Sequence, residues 1–222
     1  MKVGTDAVLL GAWTQVDFYP DTILDIGAGT GVISLMMAQR SDAQTIDAVE
    51  IAENAYEQAV ENFEQSDWAD RLFCYHTSFN DFVDEMKDEN EKYDLIVSNP
   101  PFYADDFISE DLARNTARFT TSLPFENLIT GASALLSDDG VFSVIIPYKE
   151  ETNFITMAQK NKLLLQRVCR VKGTPKSPIK RSLLTFSFHQ KVCVDEEIII
   201  ETARHQYTVE YINLTKDFYL KM

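Results

Sequence analysis

Short apolar runs alternate along this chain with longer stretches in which apolar residues recur every third or fourth position. Thr22-Ile23-Leu24, Thr45 to Val49, Leu72 to Tyr75, Tyr93 to Val97 and Val141 to Ile146 read as buried strands. Between them, Val32 to Arg40, Glu53 to Gln65, Phe79 to Met86 and Phe125 to Leu136 read as helices. The second of these carries Ala55, Ala59, Val60 and Phe63 on one stripe, and the third carries Phe79, Phe82, Val83 and Met86. Ser137-Asp138-Asp139-Gly140 predicts a turn, Pro147 stops the fifth strand, and Tyr148 to Lys160 reads as another helix. Strand and helix signals in alternation imply parallel βαβ units. Leu163 to Val171 and Ser182 to Gln190 then predict two long strands joined by a loop, an antiparallel pair. Ala104 to Leu123 is polar without a strand signal, and is expected to form a partly helical lid.

The predicted fold class is therefore α/β: a doubly wound, mostly parallel sheet with an antiparallel C-terminal hairpin. The 222 residues suit a single domain. Within it we expect a lead-in over 1–20, a ligand-binding core over 21–147 and a C-terminal part over 148–222 that carries the hairpin. No apolar stretch approaches the length of a membrane span, and the N-terminus lacks a basic-then-apolar signal pattern. Cys74, Cys169 and Cys193 are odd in number and widely spaced, which argues against a disulfide framework and points to a reducing, cytoplasmic setting. His76, His189 and His205 are isolated, so no metal site is expected.

Chemistry concentrates at the predicted strand ends. Asp25-Ile26-Gly27-Ala28-Gly29-Thr30-Gly31 joins the first strand to a helix, and its alternate glycines permit a tight turn and close backbone approach to a ligand. No Gly-Lys-Ser/Thr follows, and Asp25 would repel a phosphate while favouring a cationic ligand. Glu50 ends the second strand about 20 residues beyond the loop, the spacing at which a carboxylate takes a ribose hydroxyl pair; the plainer reading is an exposed Glu opening a loop. Asn99-Pro100-Pro101-Phe102 ends the fourth strand. The prolines stiffen the turn and remove two N–H donors. What remains is a set of acceptors, the Asn99 amide oxygen and the Pro100 carbonyl, beside the aromatic face of Phe102. That set suits a planar group bearing an NH2.

The net charge of −15 looks wrong for a partner of nucleic acid. Its distribution changes the picture. Residues 160–194 hold nine of the 20 basic residues and none of the 35 acidic ones. Pro175 and Pro178 make Lys172 to Arg181 read as a loop, so Lys172, Lys176, Lys180 and Arg181 are candidates to meet RNA phosphates. The competing reading is an ordinary solvated hairpin.

Asp25 to Gly31, Glu50 and Asn99 to Phe102 together resemble the S-adenosylmethionine-dependent methyltransferases that act on an exocyclic amine. The opening Lys2-Val3-Gly4-Thr5-Asp6-Ala7-Val8-Leu9-Leu10-Gly11-Ala12-Trp13 and the closing Tyr207-Thr208-Val209-Glu210-Tyr211 and Asp217-Phe218-Tyr219-Leu220 narrow this. They resemble the bacterial valine-tRNA (adenine-37 N6)-methyltransferase family, over essentially the whole chain. The resemblance implies a Rossmann-like class I sheet of seven strands, one of them antiparallel, with S-adenosylmethionine as cofactor and tRNA as partner. It implies cofactor contacts from Asp25, Gly27, Gly29, Gly31 and Glu50, from Ser78 and Phe79 at the adenine end, and from Lys2, Gly4 and Thr5 at the methionine end. It assigns catalysis to Asn99, Pro100 and Phe102. Family members usually carry residues before Lys2-Val3-Gly4-Thr5-Asp6, which implies a missing N-terminal piece or a misassigned start.

Two neighbours share the fold and the motif with a different acceptor: a glutamine amide of a release factor, and adenine in DNA. The basic stretch favours nucleic acid, and the lack of a separate target-recognition domain disfavours sequence-specific DNA methylation. A non-catalytic RNA-binding module would show a degenerate site, whereas these motifs are intact.

Overall fold

A computed structural model describes residues 4–101 and 123–220. The N-terminal helix α1 (Thr5–Trp13) is followed by β1 (Thr22–Ile26), α2 (Val32–Arg40), β2 (Thr45–Glu50), α3 (Glu53–Glu64), β3 (Leu72–His76), α4 (Phe79–Glu89) and β4 (Tyr93–Ser98). After the undescribed segment come α5 (Phe125–Leu135), β5 (Leu136–Pro147), a 3-10 turn (Tyr148–Glu150), α6 (Glu151–Lys160), β6 (Leu164–Lys172) and β7 (Ile179–Ser187). The chain closes with β8 (Val194–Ile199), a small hairpin of β9 (Glu201–Ala203) and β10 (Gln206–Tyr207), and α7 (Val209–Thr215).

The main sheet has the order β3-β2-β1-β4-β5-β7-β6-β8. Every pairing in it is parallel except those made by β7, which runs antiparallel to both β5 and β6. The strand order reverses between β1 and β4, the switch point where open α/β sheets bind ligands. Register sharpens this position. Ile26 lies opposite Val49 of β2 and Ser98 of β4, so Gly27, Glu50 and Asn99 leave adjacent strands at one edge.

The central strands are mostly apolar on both faces because both are covered. One core layer packs α1 and α2 on the sheet, with Leu9, Leu10, Met37 and Ile46 fully enclosed. The other packs α4, α5 and α6, around Phe82, Phe142, Phe154 and Phe186. α1 buries an unbroken run from Val8 to Trp13, and Arg40 closes its C-terminus by donating to the Gly11 and Thr14 carbonyls at 2.5 and 2.8 Å. That arrangement satisfies carbonyls a helix end leaves without partners.

The predicted α/β class, its single antiparallel strand and the β6–β7 pair are all present. The sheet has eight strands rather than seven. The addition is β8, which brings Asp195, Glu196 and Glu197 to the sheet edge. They pair with the cations of β6: Glu196 with Arg167 at 2.7 Å, Asp195 with Arg170 at 2.9 Å and Glu197 with Lys172 at 2.7 Å. The turn expected at Ser137 to Gly140 is a bulge inside β5. Leu136 faces Tyr93 and Val141 faces Leu95, so the four residues between loop out of register. The expected helix from Tyr148 splits into the 3-10 turn and α6.

Candidate active site

The glycine loop takes its shape from backbone conformation. Gly27 and Gly31 sit at φ +71° and +76°, in the left-handed region that costs other residues strain. Gly31 also lies against the ring of Phe63 from α3, so that a Cβ there would overlap the ring edge. Asn62 of the same helix donates from Nδ2 to the Thr30 carbonyl at 2.9 Å. Replacing Gly31 by Ala combines positive-φ strain with overpacking, an expected cost of ~2–4 kcal/mol. The expected readout is a Tm lower by roughly 5–12 °C, partly recovered by Phe63→Leu in the same background. An unchanged Tm would show that the ring does not hold the loop.

Glu50 fastens this loop to the end of β2. Its Oε2 accepts from the Gly29 N–H at 2.8 Å, and its Oε1 from the Ala52 N–H at 2.7 Å. Each carboxylate oxygen retains a lone pair, so the group can still accept from a ligand's hydroxyls. The side chain is nearly enclosed but lines the cavity.

Asp25 is placed differently from the sequence expectation. It is fully buried and does not line the cavity. Its Oδ2 accepts from Ser34 N–H at 3.1 Å and Ser34 Oγ at 2.7 Å, which ties β1 to the first turn of α2. Burial pushes its carboxyl up to about 7, against the lowering effect of the two Ser34 hydrogen bonds. A carboxyl so enclosed shapes the loop from behind and is a poor counter-ion for anything in the cavity.

At the end of β4, Ser98 Oγ donates to the Ile26 carbonyl at 2.9 Å and so locks the strand end to β1. Asn99 is half-buried, Pro100 buried and Pro101 exposed. Two cavities meet here. The larger, about 660 Å³, runs from the glycine loop past Glu50 to Ser78 and Phe79. The smaller, about 470 Å³, is bounded by Gly4, Thr5 and Asp6 on one side and Asn99, Pro100 and Pro101 on the other. Gly4, Asn99, Pro100 and Pro101 line both. The Asn-Pro-Pro turn is thus a shared wall between a cofactor-sized chamber and a second, more open one.

The structure brings Gly27, Gly29, Glu50, Ser78, Phe79, Asn99 and Pro100 to the larger cavity. Thr5 lines only the smaller one. Gly31 caps α2 just behind the loop. Ser78 is the N-cap of α4, accepting from Asp81 N–H at 3.2 Å and donating to Asp81 Oδ2 at 2.6 Å. Lys2, Phe102 and the expected lid up to residue 122 lie outside the described residues, but Leu123 lines the larger cavity. Sequence reasoning missed Ile51 and Thr77. Ile51 stands 41% exposed in the larger cavity beside Glu50 and offers an apolar face to a ring; an apolar residue directly after a strand-end carboxylate was the available signal.

The larger cavity has the volume of a small-molecule site. No Lys, Arg or His lines it among the described residues, and its one charged lining group is Glu50. That donor set is wrong for a phosphate-bearing cofactor and right for a nucleoside that carries a cationic, phosphate-free tail. No cysteine lines the cavity, and burial pushes the thiols of Cys74 and Cys169 up to about 12. Among the described residues no cluster of three or more His, Cys, Asp or Glu could hold a metal ion, and no helix is long and apolar enough to cross a membrane.

The candidate RNA-contacting cations divide. Lys172 is paired with Glu197, and Arg181 Nε donates to Asp6 Oδ2 at 2.8 Å. Lys176 and Lys180 are exposed and make no ion pair among the described residues. Because β6 runs parallel to β5 in the sheet, the β6–β7 loop that carries Lys176 emerges at the same edge as Asn99. Lys180 lies just inside β7, at that same end.

Residues 4–160 match the Methyltransferase small domain family. The chain is 56% identical over 222 residues to the tRNA1(Val) (adenine(37)-N6)-methyltransferase of Christiangramia forsetii, covering all of this chain and 92% of the relative. It is 58% identical to the protein of the same name from Flavobacterium psychrophilum, covering all of this chain and 94% of that one. Among solved structures, a predicted O-methyltransferase from Agrobacterium tumefaciens aligns with a TM-score of 0.72 at 20% identity, covering 96% of each chain. That last likeness speaks for the fold.

Proposed function

We infer that this chain, which belongs to the bacterial tRNA1(Val) (adenine(37)-N6)-methyltransferase family, transfers a methyl group from S-adenosylmethionine to N6 of an adenine in tRNA, adenine-37 of a valine tRNA. The observation that carries this reading is the position of Asn99 and Pro100 as the wall common to both cavities. A group held there touches the contents of each.

S-adenosylmethionine supplies a methyl group made electrophilic by its sulfonium. Glu50 takes the ribose hydroxyls, the glycine loop gives the nucleoside close backbone approach, and Ile51, Ser78 and Phe79 border its base. Adenine N6 is a weak nucleophile because its lone pair is delocalised into the ring. The Asn99 amide oxygen and the Pro100 carbonyl accept its two hydrogens and favour a pyramidal nitrogen as positive charge develops. No general base is required, because the N-methylated nitrogen is acidic enough to lose its proton to water. Phe102, next in the motif, is assigned to stacking on the base. A base in a loop reaches such a pocket at less cost than one in a duplex.

RNA is the acceptor class favoured by the exposed Lys176 and Lys180 at the edge where Asn99 lies. Lys172 and Arg181 have acidic partners and contribute less net charge. The double variant Lys176→Glu/Lys180→Glu should weaken tRNA binding about tenfold or more and lower the salt slope of log K by roughly 1.5–2. Salt-titrated filter binding reads both, and an unchanged slope would remove these lysines from the interface. The cytoplasm, where tRNA is modified, is the compartment this function calls for.

A transfer assay with labelled S-adenosylmethionine against total tRNA, genomic DNA and release factor tests the function directly. Label in tRNA alone is expected. Label only in protein would move the activity to the glutamine-directed relatives of this fold.

A further inference from the structure

Acceptors for an NH2 group do not distinguish adenine in RNA from adenine in DNA or from a glutamine amide. Lys176 and Lys180 favour a polyanion over a protein but treat RNA and DNA alike, so the smaller cavity beside Asn99 is where the two can be told apart. Among the described residues that cavity has one charged lining group, Asp6. An anionic side chain is a strange choice beside a polyanion, and its neutralisation is built in. Arg181 reaches it from β7, 175 residues away in sequence, and holds Oδ2 at 2.8 Å. The pair is partly buried, with side chains 28% and 33% exposed for Asp6 and Arg181. Arg181 is placed there by register, opposite Pro147 at the edge from which Asn99 emerges.

A carboxylate only accepts hydrogen bonds, which restricts what Asp6 can recognise. The ring nitrogens of adenine that carry lone pairs are acceptors too, and repel it. The two N6 hydrogens are engaged by Asn99 and Pro100 in the functional reading above. Within a nucleic-acid chain the 3′ and 5′ oxygens are esterified. The one donor an adenosine has left is its ribose 2′-hydroxyl, the group that separates RNA from DNA.

We propose that Asp6, oriented by Arg181, is the specificity residue that selects RNA: its Oδ1 accepts a hydrogen bond from the 2′-hydroxyl of the acceptor nucleotide in the smaller cavity. Arg181 is a positioning residue. It fixes the carboxylate through Oδ2 and cancels a charge that would otherwise repel the neighbouring phosphates. The inference rests on the N6-adenine reading of the same site.

The experiment compares methyl transfer to an anticodon stem-loop RNA and to the same RNA with a single 2′-deoxy substitution at the target adenosine. The wild-type protein should prefer the ribo substrate in kcat/KM by about ten- to a hundredfold, the worth of one hydrogen bond to a charged acceptor. Asp6→Ala should bring the ribo substrate down to the deoxy level, with S-adenosylmethionine affinity by calorimetry unchanged. Asp6→Asn, which keeps an amide oxygen and the size of the side chain, should retain part of the preference and serves if the alanine variant folds poorly. Arg181→Lys, which keeps the charge but cannot hold the carboxylate in the same geometry, should lower the ribo-to-deoxy ratio of kcat/KM. Equal wild-type rates on the two RNAs would overturn this inference and leave the N6-adenine reading standing, as would a preference undiminished in Asp6→Ala or in Asp6→Asn. No transfer to either RNA would overturn that reading and this inference with it.

Discussion

Asn99→Ala is expected to lower kcat by ~10²–10³-fold, the range for losing one hydrogen bond aimed at developing charge, while S-adenosylmethionine binds as before. The two effects separate because of where the residue stands. The larger cavity owes its shape to the glycine loop and Glu50, which hold each other through the Gly29 and Ala52 N–H groups. The β4 end is fixed independently by the Ser98 hydroxyl on the Ile26 carbonyl. Truncating Asn99 therefore removes an acceptor from the shared wall without loosening either support. Single-turnover rates at saturating RNA, read beside calorimetric cofactor affinity, check this. A rate within ~3-fold of wild type, less than one ordinary hydrogen bond is worth, would show that N6 is not held there.

Glu50→Ala should act in the opposite way, weakening S-adenosylmethionine binding ~10²-fold while leaving the rate at saturating cofactor much closer to normal. Two charge-assisted hydrogen bonds, at 2.8 and 2.7 Å, hold the loop and the start of the segment leading to α3. Each such bond is worth about 1.5–3 kcal/mol, and their removal leaves the Gly29 and Ala52 N–H groups without that acceptor. The proposed ribose contact is lost as well. Glu50→Gln keeps one oxygen and should fall between the two. Isothermal calorimetry with S-adenosylmethionine decides it, and an unaltered Kd would detach Glu50 from the cofactor.

What could be read in the sequence was what is local in it. The glycine loop, Glu50 and Asn99-Pro100 each sit at the end of an apolar run, and the strand ends needed only parallel pairing to bring them together. The contacts that support them are remote. Phe63 and Asn62 come from α3 and close on Gly31 and Thr30, and no pattern around the loop announces them. Asp25 shows the limit from the other direction. Its place in the motif suggested a ligand contact, but a residue inside a strand between two covered faces turns into the core, where Ser34 takes it up.

The basic stretch was legible only in part. Charge density along the chain is a one-dimensional quantity. β8 follows the stretch at once with Asp195, Glu196 and Glu197 and folds alongside β6, so that Arg167, Arg170 and Lys172 are spent inside the protein. Arg170 is also held by Glu151, the first residue of α6. The acidic triplet at the end of an acid-free run was the visible hint that a neighbouring strand would answer it. Asp6 passed unremarked because its meaning depends on Arg181 and on a cavity that only the folded sheet edge creates.

Nucleoside mass spectrometry on an unmodified valine tRNA transcript incubated with the purified protein and S-adenosylmethionine tests whether the Asn99-Pro100 turn methylates adenine. N6-methyladenosine is expected, mapped by nuclease fragments to adenine-37 and absent with Asn99→Ala. Methylation of a different atom, or label that enters a release-factor glutamine and leaves the tRNA unmodified, would contradict that role of the turn.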